Sequence, residues 1–357
     1  MSSIWGEKVK LSIFGESHGK AIGAVLDGLP AGEVLDFDEI LLQMNRRAPG
    51  QDATATTRRE SDFPQIISGI LSGKTTGAPL CAIIENTNIK SVDYGNLQFI
   101  PRPGHADYPA FLRYGGFADV RGGGHFSGRL TAPLVFAGAV CRQLLRRRGV
   151  LIGAHVSSVA DINDTPFDPV KIPESLLEDL SSRYFSVIHP DAQQKMRDQI
   201  EAARMAQNSV GGVVECAAIG VPAGIGDPMF GGIEQVFSSI LFAIPAVKGV
   251  EFGAGFGAAR LTGIENNDAY HYDGDTVKTK TNHAGGSLGG LSTGMPIIFR
   301  TAFKPTPSIS AEQDSVDIYE KTNTKLCVHG RHDPCIVPRA VPVVEAAAAV
   351  ALINLMN

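Results

Sequence analysis

One motif occurs twice in this chain of 357 residues and restricts the folds that the chain can adopt. Gly28-Leu-Pro-Ala-Gly32 follows an apolar run and recurs, again after an apolar run, as Gly220-Val-Pro-Ala-Gly224. Thr76-Gly-Ala-Pro79 recurs as Thr293-Gly-Met-Pro296, each before an apolar run. Since the order is kept while the spacing drifts, as loop insertions would make it drift, the pattern predicts two related halves. A ligand site is expected where such halves meet.

A long apolar helix is the last shared feature of the two halves. One helix follows Arg129 and the other follows Arg339, each with a proline in its first turn. We place the halves at roughly residues 1–149 and 209–357 of a single domain. Residues 150–208 are more acidic and are interpreted as a helical insertion between them.

The first half begins with strand-like runs at 11–14 and 21–26. A helix is predicted from Asp36, whose side chain can cap the first turn while Glu39 completes a capping box. Residues 45–61 lack apolar periodicity and are predicted to form a basic loop. Later runs predict strands at 65–70 and 78–84, a helix to about 145, and a helix from 190 to about 207 that starts on a proline.

Composition excludes several classes of protein. Apolar residues make up 43% and charged residues 19%, which suits a packed core and excludes a disordered chain. The net charge of −5 gives no general reason to bind nucleic acid or an anionic membrane. Five cysteines without a CxxC pair indicate a reduced, cytoplasmic chain rather than a disulfide framework. No export leader and no uninterrupted apolar run of membrane-spanning length is seen.

Positive charge and glycine are nevertheless concentrated in one stretch. Residues 101–148 hold eight arginines against two aspartates. Within this stretch, Arg121-Gly-Gly-Gly-His-Phe-Ser-Gly-Arg129 exposes consecutive backbone amides between two guanidinium groups. Amides and guanidinium groups of this kind bind anions, so we expect a phosphate or carboxylate site here. The alternative is a flexible joint.

Two histidine turns are candidates for proton transfer. Gly15-Glu-Ser-His-Gly19 follows a strand and matches the hydrolase GxSxG elbow in letters only, because no helix follows it. Arg102-Pro-Gly-His-Ala-Asp107 places a carboxylate two residues after an imidazole, which can tune an acid or base. The alternative for GESHG is a plain turn with a hydrogen-bonded histidine. The alternative for RPGHAD is a histidine–aspartate pair in a solvent-facing loop.

Four further loops carry glycine or potential ligands. Residues 282–290 and 304–308 suit phosphate and a planar ring, or are plain turns. Residues 253–258 fit GxGxxA, but breakers replace the helix that dinucleotide binding requires. Cysteine and histidine at 327, 329, 332 and 335 match no usual zinc spacing, so no metal is predicted.

In their order along nearly the whole chain, these motifs resemble the chorismate synthase family. The motifs are GESHG, RPGHAD, RGGG followed by Ser and Arg, NHAGG followed by GG, KPTPSI and GRHDPC. The resemblance implies an α/β fold with helices packed between antiparallel sheets. It also implies a lyase, usually a homotetramer, that eliminates phosphate from 5-enolpyruvylshikimate 3-phosphate with reduced FMN and no net redox change.

The resemblance further implies roles for individual residues. His18 would protonate the leaving phosphate, His105 would maintain the protonation state of the flavin, and Asp333 would act with the flavin on the carbon-bound proton. Ser17 and Ser127 would support this relay. The expected substrate-binding residues are Arg47, Arg102, Arg129 and Arg339. The expected flavin contacts are His125, Phe126, Ser127, Ala246, Gly289, Lys304, Pro305, Thr306, Pro307, Ser308 and Arg331.

Four positions depart from the family pattern, and two rival functions remain open. His125 and Phe126 replace small or basic residues, Pro245 replaces a common asparagine, and Ala53 replaces an arginine associated with nicotinamide binding. The sequence does not decide whether NADPH reduces the flavin on this protein. A flavin- or nicotinamide-dependent oxidoreductase and a non-catalytic phosphate- or zinc-binding protein are the alternatives.

Overall fold

The chain folds into two five-stranded antiparallel sheets with helices between them. A computed structural model describes residues 3–50, 52, 60, 62–87, 97–328 and 332–357. The first sheet contains, in spatial order, β1 (Ile4–Trp5), β2 (Lys10–Gly15), β3 (Ala21–Asp27), β7 (Leu80–Glu85) and β4 (Gln65–Ser68). The second sheet contains, in the corresponding order, β9 (Ile162–Asn163), β8 (Leu151–Val159), β10 (Gly212–Ile219), β16 (Ile297–Phe303) and β11 (Val247–Phe252).

Short hairpins and eight helices complete the described part of the chain. The hairpins are β5 (Ile70–Leu71) with β6 (Lys74–Thr75), β12 (Tyr270–Asp273) with β13 (Thr276–Thr279), β14 (Ser287–Leu288) with β15 (Leu291–Ser292), and β17 (Gln313–Asp317) with β18 (Thr322–Leu326). The helices are α1 (Phe37–Arg47), α2 (Asp107–Tyr114), α3 (Thr131–Arg147), α4 (Glu174–Leu180), α5 (Pro190–Met205), α6 (Ile233–Leu241), α7 (Gly263–Asn266) and α8 (Val337–Met356).

The repeated sequence motif forms the same hydrogen bonds in both sheets. The Thr75 hydroxyl donates to the Pro30 carbonyl at 2.6 Å, and the Ser292 hydroxyl donates to the Pro222 carbonyl at 2.6 Å. In each turn, the backbone N–H two residues further on donates to the carbonyl of the same Thr75 or Ser292 at 2.8 Å. The strand before the turn is the third of its sheet in both cases. The shared pattern of the sequence therefore corresponds to shared backbone geometry.

Helices α3 and α8 form the centre of the core. They pack more extensively against each other than any other pair of elements, α3 also against β3 and α8 against β8 and β10. Their close approach requires Gly138, because a methyl group there would overlap the backbone of Ala346. Helix α8 is long and apolar enough to cross a membrane, but 83% of its most apolar window is buried in the protein, as in a core helix.

The structure confirms most elements predicted from the sequence and corrects three details. Residues 150–208 are not wholly helical, because β8 belongs to the second sheet and only α4 and α5 are helices. Asp36 caps α1, but its own N–H donates to Gln143 at 2.8 Å rather than to Glu39. The predicted basic loop begins later than residue 45, since α1 continues to Arg47. The remainder of that loop lies mostly outside the described residues.

A buried carboxylate connects the helices of the core. Glu345 of α8 is fully buried and accepts hydrogen bonds from Arg46 at 2.5 Å and Arg142 at 2.7 Å. It also accepts from the N–H of Ala154 at 3.0 Å. Burial alone would raise the pKa of Glu345, but the two guanidinium groups and the hydrogen bonds hold it below its usual value. One charged group thus joins α1, α3, α8 and β8.

We expect Glu345→Ala to destabilise the fold by about 3–5 kcal/mol, because it leaves two buried cations without a counter-charge. Urea unfolding followed by circular dichroism measures this change. The matched control is Glu178→Ala, which removes an exposed carboxylate from its pair with Arg146 and should cost no more than about 1 kcal/mol. Equal losses in the two variants would contradict the role of Glu345.

A second buried charge cluster attaches the segment after β9 to the sheet. His155 lies fully buried between Asp164, 2.9 Å from Nδ1, and Glu215, 3.0 Å from Nε2. Asp164 also accepts from the N–H groups of Ile188 at 2.6 Å and His189 at 2.9 Å. Burial lowers the pKa of His155, but the hydrogen bonds and charges of the two carboxylates outweigh burial and raise it. The imidazolium form therefore holds this segment in place.

The raised pKa of His155 predicts how stability depends on pH. Its contribution is complete below the unfolded value of about 6.5 and is lost as the pH rises through the higher folded pKa. We expect the free energy of unfolding, measured with urea, to fall over that interval. His155→Gln should be less stable at pH 6 and should lose this part of the pH dependence. Identical pH slopes for the two proteins would show that His155 does not titrate as described.

Candidate active site

A cavity of about 1630 Å³ brings together residues that are distant in the sequence. Fourteen of the residues expected at the site line it: Arg47, Arg102, His105, His125, Phe126, Ser127, Arg129, Ala246, Lys304, Thr306, Pro307, Ser308, Asp333 and Arg339. Ser17, His18, Pro305 and Gly289 are not among the lining residues. Arg331 lies outside the described residues. The volume suits more than one small ligand, since typical ligand pockets measure about 300–1,000 Å³.

The triple glycine at 122–124 forms a tight turn, which we call the glycine wall, and Gly122 of this turn lines the cavity. Gly122, Gly123 and Gly124 all have positive φ angles, of 59°, 85° and 53°. A methyl group on Gly122 would lie 2.6 Å from the imidazole of His18. His18 therefore packs directly behind a lining residue. Only glycine allows both this backbone conformation and this close approach.

Ser17 fixes the GESHG turn against the same glycine wall. Its hydroxyl lies 3.1 Å from the carbonyl of Arg121 and 3.0 Å from that of Gly122, and its N–H donates to Gly124 at 3.1 Å. Ser127 caps the following turn, where its hydroxyl accepts from the N–H of Arg129 at 3.3 Å. Ser17 thus holds backbone in place beside the imidazole of His18, and Ser127 fixes the start of the next turn.

The RPGHAD turn forms a compact charge cluster. Asp107 accepts from Nδ1 of His105 at 2.5 Å and from Nε and Nη2 of Arg102 at 2.7 and 2.8 Å. Burial raises the pKa of Asp107, but hydrogen bonds from Arg102 and His105 hold it well below its usual value. Nη1 of Arg102 donates to Ser308 at 3.1 Å. The cluster therefore joins an imidazole to the loop at 304–308.

Two further arginines share carboxylates that the sequence did not single out. Arg47 donates to Asp62 at 2.7 Å, and Arg129 donates to the other oxygen of Asp62 and lies 3.0 Å from Glu60. Burial lowers the pKa of Arg47 to about 10, assisted by the nearby charges of Arg339 and Arg129. Asp62 adopts a positive φ of 46°, an uncommon conformation for a residue other than glycine. The backbone is thus strained where this carboxylate is placed.

Asp333 and Arg339 form an ion pair at the cavity wall. Arg339 donates to Asp333 and, through Nε, to the carbonyl of Arg47 at 3.0 Å. Burial lowers the pKa of Arg339, but the Asp333 carboxylate outweighs burial and raises it. Arg47, Arg129 and Arg339 therefore form one group of guanidinium groups, which we call the arginine cluster.

The loop at 304–308 presents polar atoms to the cavity. Lys304 donates to the carbonyl of Gly104, and its pKa is lowered by burial and by Lys248. The hydroxyl of Thr306 is buried and has no hydrogen-bond partner among the described residues. A buried polar atom without a partner costs free energy, so this hydroxyl marks a place where a ligand atom would be stabilised.

Three other expected contacts are placed differently. Both ring nitrogens of His125 are engaged, Nδ1 with the carbonyl of Gly15 at 2.7 Å and Nε2 with the hydroxyl of Ser3 at 3.0 Å. Asn282 donates to the carbonyls of Pro169 and Pro296 at 2.8 and 2.9 Å, which makes its loop structural. Gly289 lies in the turn between β14 and β15, outside the cavity lining.

The two remaining sequence motifs are the GxGxxA segment and the cysteine- and histidine-containing segment at 327–335, of which residues 329–331 lie outside the described residues. Residues 255–260, in the GxGxxA segment, make a 3-10 turn after β11 rather than a long helix. Cys335 is buried, which raises its pKa to about 12. Among the described residues, which exclude His329, no three histidine, cysteine or acidic side chains are placed to hold a metal ion.

Comparison with known proteins identifies what the chain resembles as a whole. The family model "Chorismate synthase" matches residues 9–356. Chorismate synthase from Dehalococcoides mccartyi is 45% identical over 357 residues, covering 99% of this chain and 96% of the relative. The enzyme from Thermococcus kodakarensis is 45% identical, covering 96% and 94%. A crystal structure of chorismate synthase superposes with a TM-score of 0.76 at 28% identity, covering 99% of this chain and 92% of that one.

The arginine cluster predicts a dependence of stability on anions. Asp62→Ala should lower the unfolding temperature, because it removes the counter-charge shared by Arg47 and Arg129. Inorganic phosphate should raise the unfolding temperature of this variant more than that of the wild type, since an anion that binds only the folded state stabilises it. Differential scanning fluorimetry measures both effects.

Potassium chloride at equal ionic strength controls for screening in this experiment. Asp179→Ala is the matched variant, because Asp179 pairs with Arg183 at an exposed position outside the cavity lining. Phosphate should raise the unfolding temperature of Asp179→Ala no more than it raises that of the wild type. The same phosphate response in Asp62→Ala, Asp179→Ala and the wild type would exclude an anion site at the arginine cluster.

Proposed function

This chain belongs to the chorismate synthase family of lyases, which form chorismate in the shikimate pathway, and we propose that its cavity holds the active site for that reaction. The reaction is the trans-1,4 elimination of phosphate from 5-enolpyruvylshikimate 3-phosphate, with no net redox change. The observation that carries this placement is the convergence of the arginine cluster, His105 and the glycine wall beside His18 on one cavity.

The arginine cluster supplies what the substrate requires. The substrate carries two carboxylates and one phosphate, and burying them costs free energy unless cations compensate. Guanidinium groups suit these anions because they form paired, planar hydrogen bonds. Arg47, Arg129 and Arg339 lie within one network with Asp62 and Asp333, so they already face the same region. We assign the anionic groups of the substrate to this cluster.

A second group of residues in the cavity suits reduced FMN. Thr306 offers a buried hydroxyl without a described partner, and Lys304 and Lys248 offer positive charge for a phosphate. Ser127, Phe126, Ala246, Pro307 and Ser308 line the same cavity. When bound, a reduced flavin can lend electron density to the allylic system of the substrate and take it back. Gly289 does not line the cavity and Arg331 lies outside the described residues, so both remain predicted contacts.

The imidazoles and Asp333 are assigned to proton handling. His18 would deliver a proton to the leaving phosphate, Ser17 would hold its turn in place, and Ser127 would support the relay. His105 would maintain the protonation state of the flavin. Asp333, oriented by Arg339, would take part in removing the carbon-bound proton. Each of these steps is general acid–base catalysis by a side chain in a fixed position.

Assembly and cellular setting follow the family. We assign a homotetramer in the cytoplasm, without nucleic acid or membrane partners. Two uses of the same site differ in the source of reduced flavin: either NADPH reduces the flavin on this protein, or the flavin is reduced elsewhere. An anaerobic reaction with 5-enolpyruvylshikimate 3-phosphate, oxidised FMN and NADPH as the sole reductant distinguishes them, because only a chain that reduces its own flavin would then form chorismate.

The decisive experiment is an anaerobic assay with dithionite-reduced FMN and 5-enolpyruvylshikimate 3-phosphate. We expect equal amounts of chorismate and phosphate, many turnovers for each flavin, and a flavin that is still reduced at the end. An oxidoreductase using the same loops would instead oxidise one flavin for each product. A protein that binds phosphate ligands without catalysis would release no phosphate.

We predict that His18→Ala and His105→Ala each lower kcat by about 10²- to 10⁴-fold in this assay, the usual contribution of an acid–base residue. Thermal unfolding should confirm that both variants fold. His271→Ala, which changes an exposed histidine of β12, serves as the control and should retain wild-type turnover. Near-normal rates in both cavity variants would remove these imidazoles from the reaction.

A further inference from the structure

The contacts of Asp107 suggest a role that depends on the proposed function but goes beyond it. Asp107 is the first residue of α2, and its carboxylate is buried. It accepts from the N–H of Arg102 at 3.0 Å, from two atoms of the Arg102 guanidinium, and from Nδ1 of His105 at 2.5 Å. The carboxylate therefore stands between an imidazole and a guanidinium group, with no role yet assigned to it.

The hydrogen bond to Asp107 determines which ring nitrogen of His105 faces the cavity. Nδ1 also lies 3.2 Å from Nη2 of Arg102, but its contact with the Asp107 carboxylate is shorter, at 2.5 Å, and a carboxylate can only accept hydrogen bonds, so we place the hydrogen on Nδ1. Nε2 then points the other way, towards Gly123, where a methyl group would lie 3.1 Å from it. Because His105 itself lines the cavity and Nδ1 is engaged by Asp107, Nε2 is the ring nitrogen left to act there, beside the glycine turn.

We propose that Asp107 is a positioning residue for the lyase reaction: it fixes His105 in the Nδ1–H tautomer and presents Nε2 to the flavin and substrate. Aspartate partners of catalytic histidines act in this way in other enzymes, where they set the tautomer and stabilise the imidazolium that forms. The depressed pKa of Asp107 is consistent with a carboxylate that stays ionised throughout.

The same geometry changes the role of Arg102. All three of its guanidinium nitrogens have protein partners: Nε and Nη2 contact Asp107, and Nη1 donates to Ser308. The side chain of Arg102 therefore connects Asp107 to the loop at 304–308 and holds both in place. It has less donor capacity left for substrate than the resemblance to the family suggests.

A second aspartate provides a matched control within the chain. Asp119 accepts from Arg121 through N, Nε and Nη2 at 3.1, 2.8 and 2.8 Å, nearly the arrangement of Asp107 and Arg102. Asp119 has no described hydrogen bond to His105, although its carboxylate lies near enough to His18 for the two charges to interact. A change that acts only through loss of an aspartate–arginine pair would therefore appear in both variants.

The first test measures the tautomer in flavin-free protein labelled with ¹⁵N-histidine. Long-range ¹H–¹⁵N spectra distinguish the two neutral tautomers, and His105→Ala identifies the resonances of His105. Wild-type His105 should be the Nδ1–H form. Asp107→Asn should shift it towards Nε2–H, because an amide can present N–H groups to Nδ1. Asp119→Asn should leave the tautomer unchanged.

The second test separates positioning from substrate binding. In the anaerobic assay, Asp107→Asn should lower kcat by about 10²- to 10⁴-fold with little change in KM, as expected when the proton-transfer group has the wrong tautomer. Asp107→Glu, which keeps the carboxylate, should recover part of the loss. A KM effect alone would overturn the proposal.

The wild-type spectrum decides the matter even where a variant fails to fold. An Nε2–H tautomer in the wild type, or an unchanged tautomer in folded Asp107→Asn, would refute the role of Asp107. These spectra need neither flavin nor substrate. Absence of chorismate formation by the wild type would therefore refute the proposed function and leave the tautomer result standing.

Discussion

The structure depends on carboxylates and carbonyls that balance the charge of guanidinium groups buried away from water. Burying a charge without a partner is prohibitively costly, so each buried arginine must meet a carboxylate or several carbonyls. Glu345 does this for Arg46 and Arg142 in the core, and Asp62 does it for Arg47 and Arg129 in the cavity. The first arrangement stabilises the fold, and the second keeps cations available beside a ligand site.

The two arrangements are connected through single helices. Arg46 and Arg47 are neighbours at the end of α1, yet one points into the core and the other lines the cavity. Helix α8 similarly carries Arg339 near its start and Glu345 within its buried centre. Because the packing of α3 against α8 fixes both helices, it also fixes the geometry of the arginine cluster. Core packing and site geometry are therefore one constraint.

Local patterns allowed most of the fold to be predicted from the sequence. Alternation and turn residues located β2 and β3, and the repeated GLPAG and GVPAG turns indicated the relation between the two sheets. Sequence could not show partners that are distant along the chain. Ser308, which engages Arg102, lies 206 residues away, and Ser3, which engages His125, lies 122 residues away. Asp62 was missed because no apolar periodicity surrounds it, although the two acidic residues at 60 and 62, close after Arg58 and Arg59, were a usable signal.

Charge balance determines how the cavity can attract its ligands. Arg47, Arg129 and Arg339 lie against Glu60, Asp62 and Asp333, so these six groups carry no net charge. Long-range attraction of an anion by these six groups is therefore weak, and Arg113, Lys248 and Lys304 supply further positive charge to the cavity lining. Affinity for the proposed substrate, which has three anionic groups, also requires short hydrogen bonds made in a space that excludes water. Such bonds are strong only when the donors are held in place beforehand, which is what the strained backbone of Asp62 and the buried ion pairs accomplish.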